Sequence, residues 1–255
     1  MSFAGQGDPA PFEVWHKGEA GCLLLHGFPG SPAELRELGA CLGRQGVSVV
    51  APCLPGFGRQ PEELRGKRWE DWLRAAAAGL RQLQERCAWV FVAGLSLGAA
   101  LALYLAAEVP LAGVVAVSPA VRLRSPLAPL IPVARYLLRW YETGIDRNLV
   151  DPGAARRQWY YTRVPAAAVG EMYELVQRCR RAAPIVRVPV LLIQSQADEV
   201  LRPAGALELL DRLGTSDKRL TWLGRSGHNA LVDVERERVF AETYAFITAH
   251  TNDGR

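Results

Sequence analysis

Short, almost continuously apolar runs alternate with longer helix-like stretches along most of the chain. The apolar runs occupy residues 21–25, 47–51, 89–93, 113–117, 189–194 and 219–223. Runs of this length without alternating polar residues are typical of strands that are covered on both faces. The helix-like stretches occupy residues 32–45, 69–86, 98–107, 203–213 and 234–249. The pattern therefore predicts an α/β fold, in which helices cover both faces of a doubly wound, mostly parallel sheet.

The segment 120–187 interrupts this alternation. It begins with three prolines, Pro126, Pro129 and Pro132, and continues with aromatic and aliphatic residues among arginines. It has no strand pattern, and a structureless loop of this length would be unusual in a compact domain. We therefore predict a separate helical element, the insertion, within a core made of residues 1–119 and 188–255.

Length and composition narrow the class of protein. With 255 residues, 49% hydrophobic and 22% charged, the chain has the composition of a globular domain of ordinary α/β-enzyme size. No apolar run approaches the roughly 18 residues of a membrane span, and the first residues do not resemble a secretion signal. The five cysteines form no CxxC pair, which argues against a disulfide framework or a zinc ribbon. We expect a cytoplasmic protein with reduced thiols and no integral membrane association.

Positive charge is concentrated in one part of the chain. Residues 119–187 contain twelve arginines and five acidic residues, a net charge of +7 in a chain whose total is +4. This segment could be a solvated basic face, or it could attract anionic substrates or lipid surfaces. Nucleic acid is not an expected partner, because no recognisable binding motif accompanies the basic residues.

The sequence GLSLG at residues 94–98 fits the pattern GxSxG. The motif lies between a predicted strand and a predicted helix, which is the setting of a nucleophile elbow. In such a tight turn the neighbours of the serine lie against adjacent backbone, where a Cβ atom would clash. We therefore predict that Ser96 is a nucleophile.

A serine hydroxyl needs a base to take its proton, and the chain has four histidines. His228 follows the last predicted strand, at the sheet edge where the elbow also lies and where open α/β sheets bind ligands. The other three lie in the N-terminal segment, in a turn after a strand and near the C-terminal end. We therefore predict His228 as the base.

The base needs an acid that orients it and stabilises its protonated form. Asp198 follows the strand at 189–194, again at its carboxyl end, and is the predicted acid. Glu199 is the close alternative, whereas Asp233 is predicted to cap the final helix. The resulting chain order of Ser96, Asp198 and His228 is the order of the α/β-hydrolases.

The turn after the first apolar run carries the predicted oxyanion hole. The backbone N–H groups of Phe28 and Leu97 are the predicted donors, and the side chain of Phe28 is a predicted wall of the acyl pocket. We expect His26 to brace this turn through its ring nitrogens rather than to take part in catalysis.

These motifs make the chain similar to the small bacterial carboxylesterases and monoacylglycerol lipases of the α/β-hydrolase superfamily. The resemblance covers most of the chain and rests on residues 23–30 (LLLHGFPG), 55–58 (PGFG), 71–72 (DW), 93–98 (AGLSLG), 198–199 (DE) and 226–228 (SGH). It implies an α/β-hydrolase fold of about seven strands, with a small cap inserted after the sixth strand. It also implies that Ser96, Asp198 and His228 form the triad, and that Phe28 and Leu97 bind the oxyanion. Members of this family hydrolyse short- to medium-chain esters or monoacylglycerols and need no cofactor.

The main functional hypothesis is a serine carboxylesterase that acts on small acyl esters through an acyl-enzyme. A monoacylglycerol lipase or an acyl thioesterase would use the same groups, so the pocket must decide among them. Epoxide hydrolases and haloalkane dehalogenases are excluded, because position 96 is serine rather than aspartate. A non-catalytic receptor is expected to lack a triad residue, and Ser96, Asp198 and His228 are all present.

The insertion leaves further questions open. Its aromatic and aliphatic residues could line an acyl tunnel or could pack the insertion on the sheet. The candidates are Tyr136, Leu137, Trp140, Trp159 and Tyr160. The sequence does not decide the acyl length, the alcohol group, or whether the protein is a monomer or a weak dimer.

Overall fold

The computed structural model describes residues 2–143 and 149–251. The strands are β1 (Phe3–Gly5), β2 (Phe12–Val14), β3 (Ala20–Leu25), β4 (Ser48–Ala51), β5 (Trp89–Leu95), β6 (Gly113–Val117), β7 (Trp140–Glu142), β8 (Trp159–Tyr161), β9 (Arg163–Pro165), β10 (Val190–Ser195) and β11 (Lys218–Leu223). The helices are α1 (Arg36–Arg44), α2 (Trp69–Gln84), α3 (Leu97–Glu108), α4 (Ile131–Leu137), α5 (Ala166–Ala182), α6 (Ala204–Arg212) and α7 (Arg236–Thr251).

A seven-stranded sheet lies at the centre of the molecule, in the order β11-β10-β6-β5-β3-β4-β2. Neighbouring strands are parallel, except that β2 pairs antiparallel with β4 at one edge. All six predicted strands belong to this sheet, so the predicted doubly wound, mostly parallel sheet is confirmed. Sequence analysis missed β2 because three residues are too few to show a pattern.

Helices cover both faces of the sheet, and each face has its own hydrophobic core. On one face α1 and α7 contribute residues such as Leu38 and Phe240. On the other face α2, α3 and α6 contribute residues such as Trp72, Leu101 and Leu209. This double coverage is the reason that the strands are apolar at successive positions.

Helix α3 is apolar on all sides because it is packed on all sides. It contacts β5 and β6 of the sheet, and it also contacts α5 of the insertion. A helix in such a position is buried around its circumference, and its small and aliphatic residues match that environment. The elbow at its N-terminal end is therefore held by the core of the protein.

The insertion follows β6, which is the sixth strand along the chain and the fifth strand of the large sheet. It contains the helices α4 and α5, and also the short strands β7, β8 and β9, which the sequence analysis did not predict. Strand β7 pairs with β9, and β8 pairs with β1 near the N-terminus. The N-terminal residues 3–5 therefore pack on the insertion, although sequence analysis grouped them with the core.

Three observations concern the described part of the chain as a whole. None of its helices combines the length and the apolarity that crossing a membrane requires. Its histidine, cysteine and acidic side chains form no cluster of three or more that could hold a metal ion. All five cysteines are free thiols.

Candidate active site

Ser96 lies at the junction of β5 and α3, where the chain changes direction sharply. Its backbone adopts φ 52° and ψ −107°, in the left-handed half of conformational space that residues with a Cβ atom rarely enter. Such strained positions persist only where the surrounding structure enforces them, and they cluster at functional sites. Ser96 is 8% exposed and lies at the carboxyl edge of the sheet, where β5 ends.

The glycines on either side of Ser96 are required by close backbone contacts. A Cβ atom at Gly94 would lie 2.3 Å from the carbonyl carbon of Gly98. A Cβ atom at Gly98 would lie 2.0 Å from the carbonyl oxygen of Leu25 and 2.8 Å from that of His26. The first turn of α3 can thus lie directly against the end of β3. The GxSxG pattern predicted close backbone contacts on both sides of the serine, but not which strand supplies them.

The structure brings Asp198 and His228 into direct contact. His228 Nδ1 lies 2.8 Å from Asp198 Oδ2, and the Asp198 side chain is fully buried. Glu199, the alternative acid, is exposed. The arrangement is the one that orients an imidazole ring for proton transfer at its other nitrogen.

Asp198 is held as a carboxylate by several donors. Gln194 Nε2 donates to Oδ2 at 2.9 Å, and the backbone N–H groups of Val200 and Leu201 both donate to Oδ1 at 2.8 Å. Burial opposes ionisation, but the charge of His228 and these hydrogen bonds outweigh it and lower the pKa of Asp198. The residue is therefore charged at neutral pH.

Strand β6 connects the elbow to the loop that carries His228. The backbone N–H of Ser96 donates to the carbonyl of Val117 at 2.9 Å. Ser118, the next residue, donates from its hydroxyl to the carbonyl of His228 at 2.7 Å. Through these two contacts the elbow and the histidine are positioned at the same edge of the sheet.

Asp233 does not cap the final helix, as the sequence analysis predicted, because α7 begins only at Arg236. Its buried carboxylate accepts hydrogen bonds from the backbone of Gly227 at 2.6 Å, of Asp151 at 2.7 Å and of Val150 at 3.0 Å. Asp233 therefore joins the loop that precedes His228 to the insertion.

Glu235 stabilises the same loop from the other end. Its carboxylate accepts hydrogen bonds from the backbone of Arg225 and Ser226 at 2.8 Å and of Gly224 at 3.3 Å. Burial opposes ionisation, but these donors outweigh it and lower the pKa of Glu235. Sequence analysis missed this role, since the donors are backbone groups that leave no sequence pattern.

The predicted oxyanion donors lie on two segments that touch. Phe28 follows β3, and Leu97 is the first residue of α3, which Gly98 brings against the end of β3. His26 braces this turn as predicted, because its Nε2 accepts from the N–H of Leu54 at 3.1 Å and its Nδ1 lies 2.9 Å from the carbonyl of Gly27. Burial lowers the pKa of His26 to about 4, so the ring is neutral.

An aromatic cluster surrounds the side chain of Phe28. The ring centroid of Phe57 lies 5.8 Å from that of Phe28, and the ring centroid of Trp72 lies 6.3 Å from it. Tyr161 of the insertion stacks on Phe57 at 6.3 Å. Phe57 and Trp72 lie in segments that carry the family resemblance, but neither they nor Tyr161 were predicted as part of the site, because three distant parts of the chain supply them.

The candidate residues of the insertion differ in where they lie. Tyr136 and Leu137 on α4 are 82% and 78% exposed, so their side chains do not line a buried tunnel. Trp140 lies under the guanidinium groups of Arg65 and Arg163, with ring distances of 5.0 and 4.7 Å.

Trp159 and Tyr160 on β8 are both buried. Trp159 stacks on Phe3 at 5.0 Å and packs edge-to-face on Tyr161 at 5.1 Å. These contacts fasten the insertion to the N-terminal segment, which is the packing alternative that the sequence left open for Trp159.

The site combines the groups needed for attack on a carbonyl carbon. A serine on a strained elbow, a histidine oriented by a buried carboxylate, and backbone N–H groups on two touching segments meet at one edge of the sheet. Such a set can form and break a covalent bond to an acyl group without a metal.

Comparisons with known proteins agree with this architecture. The model of the family Hydrolase_4, described as serine aminopeptidase S33, matches residues 16–235. A thermostable monoacylglycerol lipase of Bacillus sp. (strain H-257) is 28% identical over 91% of this chain and 92% of its own length. A carboxylesterase of Bacillus subtilis (strain 168) is 28% identical over 94% of this chain and 96% of its own length.

Solved structures show the same fold. A chain from work on LipS and LipT, two metagenome-derived lipolytic enzymes, superposes with a TM-score of 0.89 at 29% identity, over 96% of this chain and 100% of its own. The Paleococcus ferrophilus monoacylglycerol lipase superposes with a TM-score of 0.77 at 20% identity, over 94% of this chain and 99% of its own. At that identity the second likeness concerns the fold alone.

Proposed function

Because the chain belongs to the Hydrolase_4 family, we propose that it hydrolyses short- to medium-chain carboxylic esters through an acyl-enzyme on Ser96. At the level of reaction class the protein is a serine hydrolase of the α/β-hydrolase superfamily that acts on esters. The observation that carries the finer proposal is the contact of His228 Nδ1 with the buried Asp198 carboxylate, at the edge of the sheet where Ser96 lies.

In the proposed mechanism Ser96 attacks the ester carbonyl while His228 takes its proton. Asp198 holds the ring of His228 and stabilises the imidazolium that forms. The N–H groups of Phe28 and Leu97 bind the oxygen that becomes negative. His228 then gives the proton to the leaving alcohol. In the second step His228 takes a proton from water, the water oxygen bonds to the acyl carbon, and the bond from that carbon to Ser96 Oγ breaks as His228 returns the proton to Oγ.

The proposed acyl site lies beside Phe28. Its half-buried ring, together with Phe57 and Trp72, offers an apolar wall next to the oxyanion donor. A wall of this kind favours the hydrocarbon chain of an acyl group over a charged one. Monoacylglycerol is the second candidate substrate, because one of the two Bacillus relatives is a monoacylglycerol lipase.

Activity on a substrate series tests the choice of ester. We expect turnover of p-nitrophenyl esters from acetate towards palmitate to peak at short or medium chains, with monoacylglycerol measured alongside. An acyl thioester and an aminoacyl p-nitroanilide complete the series, since the family description names an aminopeptidase. Preferential cleavage of the anilide would contradict the proposal.

Ser96→Ala tests the nucleophile. We expect the variant to fold and to lose several powers of ten in kcat, because removing one member of a triad disables the whole group. A fluorophosphonate probe should label the unaltered protein and leave the variant unlabelled. More than about one per cent of residual esterase activity in the pure variant would contradict the assignment.

A further inference from the structure

We propose that Glu34 is a positioning residue for ester hydrolysis, which ties the oxyanion loop (residues 26–30) to the histidine loop (residues 226–229). The inference rests on the proposed function, because it concerns the same site. Glu34 lies in the single turn of 3-10 helix at Pro32–Leu35, just after the oxyanion loop. Glu34 is only 5% exposed, and a glutamate is rarely buried to this extent unless its carboxylate is paired.

The two carboxylate oxygens of Glu34 bind two different loops. Oε1 accepts a hydrogen bond from the backbone N–H of Gly27 at 2.5 Å. Oε2 accepts one from Asn229 Nδ2 at 3.0 Å. The space for the carboxylate depends on glycine, because a Cβ atom at Gly30 would lie 2.7 Å from Oε2.

Both partners of Glu34 are immediate neighbours of proposed site residues. Gly27 precedes Phe28, whose N–H is a proposed oxyanion donor, and Asn229 follows His228, the proposed base. One side chain therefore sets the distance between the group that binds the oxyanion and the group that moves the proton. Misplacement of reacting groups by about 1 Å can cost on the order of 10²-fold in rate.

The charge of Glu34 also acts on His228. Burial raises the pKa of Glu34 to about 7, against the opposing effects of the Gly27 hydrogen bond, the charge of His228 and the Asn229 hydrogen bond. Two carboxylates thus act on this ring from separate elements, Asp198 through a hydrogen bond and Glu34 through its charge.

Asn229 allows the two effects of Glu34 to be separated. Its Oδ1 atom is buried and has no hydrogen-bond partner among the described residues. In Glu34→Gln, a turned Asn229 amide can offer this oxygen to the new NH2 group, while the carbonyl oxygen of the substituted side chain still accepts from Gly27. That variant keeps the connection between the loops but removes the charge.

The test compares three variants in p-nitrophenyl ester hydrolysis from pH 5.5 to 9. We expect Glu34→Ala to lower kcat about 30- to 100-fold at pH 8, with KM within about twofold. The kcat of Glu34→Gln should be at least about tenfold higher than that of Glu34→Ala, because the connection between the loops is kept. The dependence of its kcat on pH near neutrality should also differ from that of the unaltered protein, because a carboxyl group whose pKa burial raises to about 7 is absent. Asn229→Ala should lower kcat about tenfold, since one of the two connections remains.

Thr243→Val is the matched control. Thr243 is fully buried, and its hydroxyl donates to the carbonyl of Val239 within α7, away from the site. It should lower the melting temperature without changing kcat or the pH profile. A merely structural role for Glu34 would give the same result in Glu34→Ala.

Two results would overturn the inference. One is a kcat of Glu34→Ala within about twofold of the unaltered protein. The other is a kcat of Asn229→Ala within about twofold of the unaltered protein, which decides the matter even if Glu34→Ala does not fold. Loss of activity in Ser96→Ala shows separately that the proposed function holds, so failure of one proposal can be told from failure of the other.

Discussion

Two buried carboxylates lie near His228, and the pKa of one is below its ordinary value while the pKa of the other is above it. Asp198 accepts hydrogen bonds at both oxygens from the backbone and from side chains, and its pKa is lowered. Glu34 has fewer donors to compensate its burial, and its pKa is raised to about 7. The difference follows from the number of donors, because each one stabilises the charged form against desolvation. Asp198 is therefore suited to stabilise an imidazolium permanently, whereas Glu34 responds to pH near neutrality.

At the residue scale, Asp198→Asn should lower kcat about 10⁴-fold, because an amide stabilises neither the correct tautomer nor the charge of His228. Steady-state kinetics at pH 8 and a melting curve check the prediction. The matched control is Glu199→Gln on the adjacent exposed residue, expected to change kcat by no more than about twofold. A larger loss in the control than in Asp198→Asn would mean that the wrong acid has been chosen.

At the scale of elements, the site depends on how closely α3 approaches β3. The two elements bring together the proposed oxyanion donors Phe28 and Leu97, and only glycine at position 98 permits the contact. The same contact explains why the first turn of α3 needs no polar side: there the helix meets the backbone at the end of β3 rather than solvent.

Gly98→Ala should therefore disturb stability and activity together. The added methyl group would overlap the carbonyl of Leu25, and we expect a decrease in melting temperature on the order of 5–10 °C. Turnover should fall as the oxyanion donors separate. Gly224→Ala is the control, since a Cβ atom there meets nothing within 4 Å, and its melting temperature should be unchanged or slightly raised. Equal behaviour of the two variants would show that the α3–β3 contact tolerates a side chain.

At the scale of the whole molecule, ion pairs join the insertion to the helices of the core. Asp151 of the insertion lies 2.8 Å from Arg157 and 3.0 Å from Arg236 on α7. Both arginines also contact Glu37 on α1, at 3.1 and 3.0 Å. Arg157 belongs to the basic segment, and four further arginines of that segment, Arg122, Arg135, Arg163 and Arg178, also pair with carboxylates. This pairing favours a structural role over attraction of anionic esters.

Asp151→Asn should lower the melting temperature at pH 7 by a few degrees. The backbone N–H of Gly153 and the charges of Arg157 and Arg236 lower the pKa of Asp151. A carboxyl group with a lowered pKa in the folded state stabilises the protein above its ordinary pKa, and the contribution disappears as the pH falls through the lowered value. The difference between the two proteins should therefore shrink below about pH 4.

The control for Asp151 is Asp211→Asn, at an exposed aspartate of α6. Its melting temperature should follow that of the unaltered protein at both pH values, because surface substitutions change stability little. A constant difference for Asp151→Asn from pH 7 to below pH 4 would show that its ion pairs do not stabilise the protein.

The sequence by itself determined six of the seven strands of the central sheet and the positions proposed for the triad. Strands covered on both faces must be apolar at successive positions, so a short stretch of adjacent residues is enough to recognise them. The carboxyl ends of parallel strands meet at one edge, which is why Ser96, Asp198 and His228 could be predicted to lie together from the strands that they follow. The elbow could be recognised for a similar reason, since a tight turn requires residues without a Cβ atom close to the serine in the sequence.

Only the tertiary structure decided what joins distant segments. The pairing of β1 with β8, the clamp that Asp233 forms and the buried position of Glu34 all depend on partners that lie far away in the chain. An acidic residue in a helix-like stretch has the same local pattern whether it faces solvent or two buried N–H groups. Three-residue strands are likewise too short to show a periodicity, and their partners stabilise them. The features of this protein that depend on contacts between distant residues could therefore be identified only in the tertiary structure.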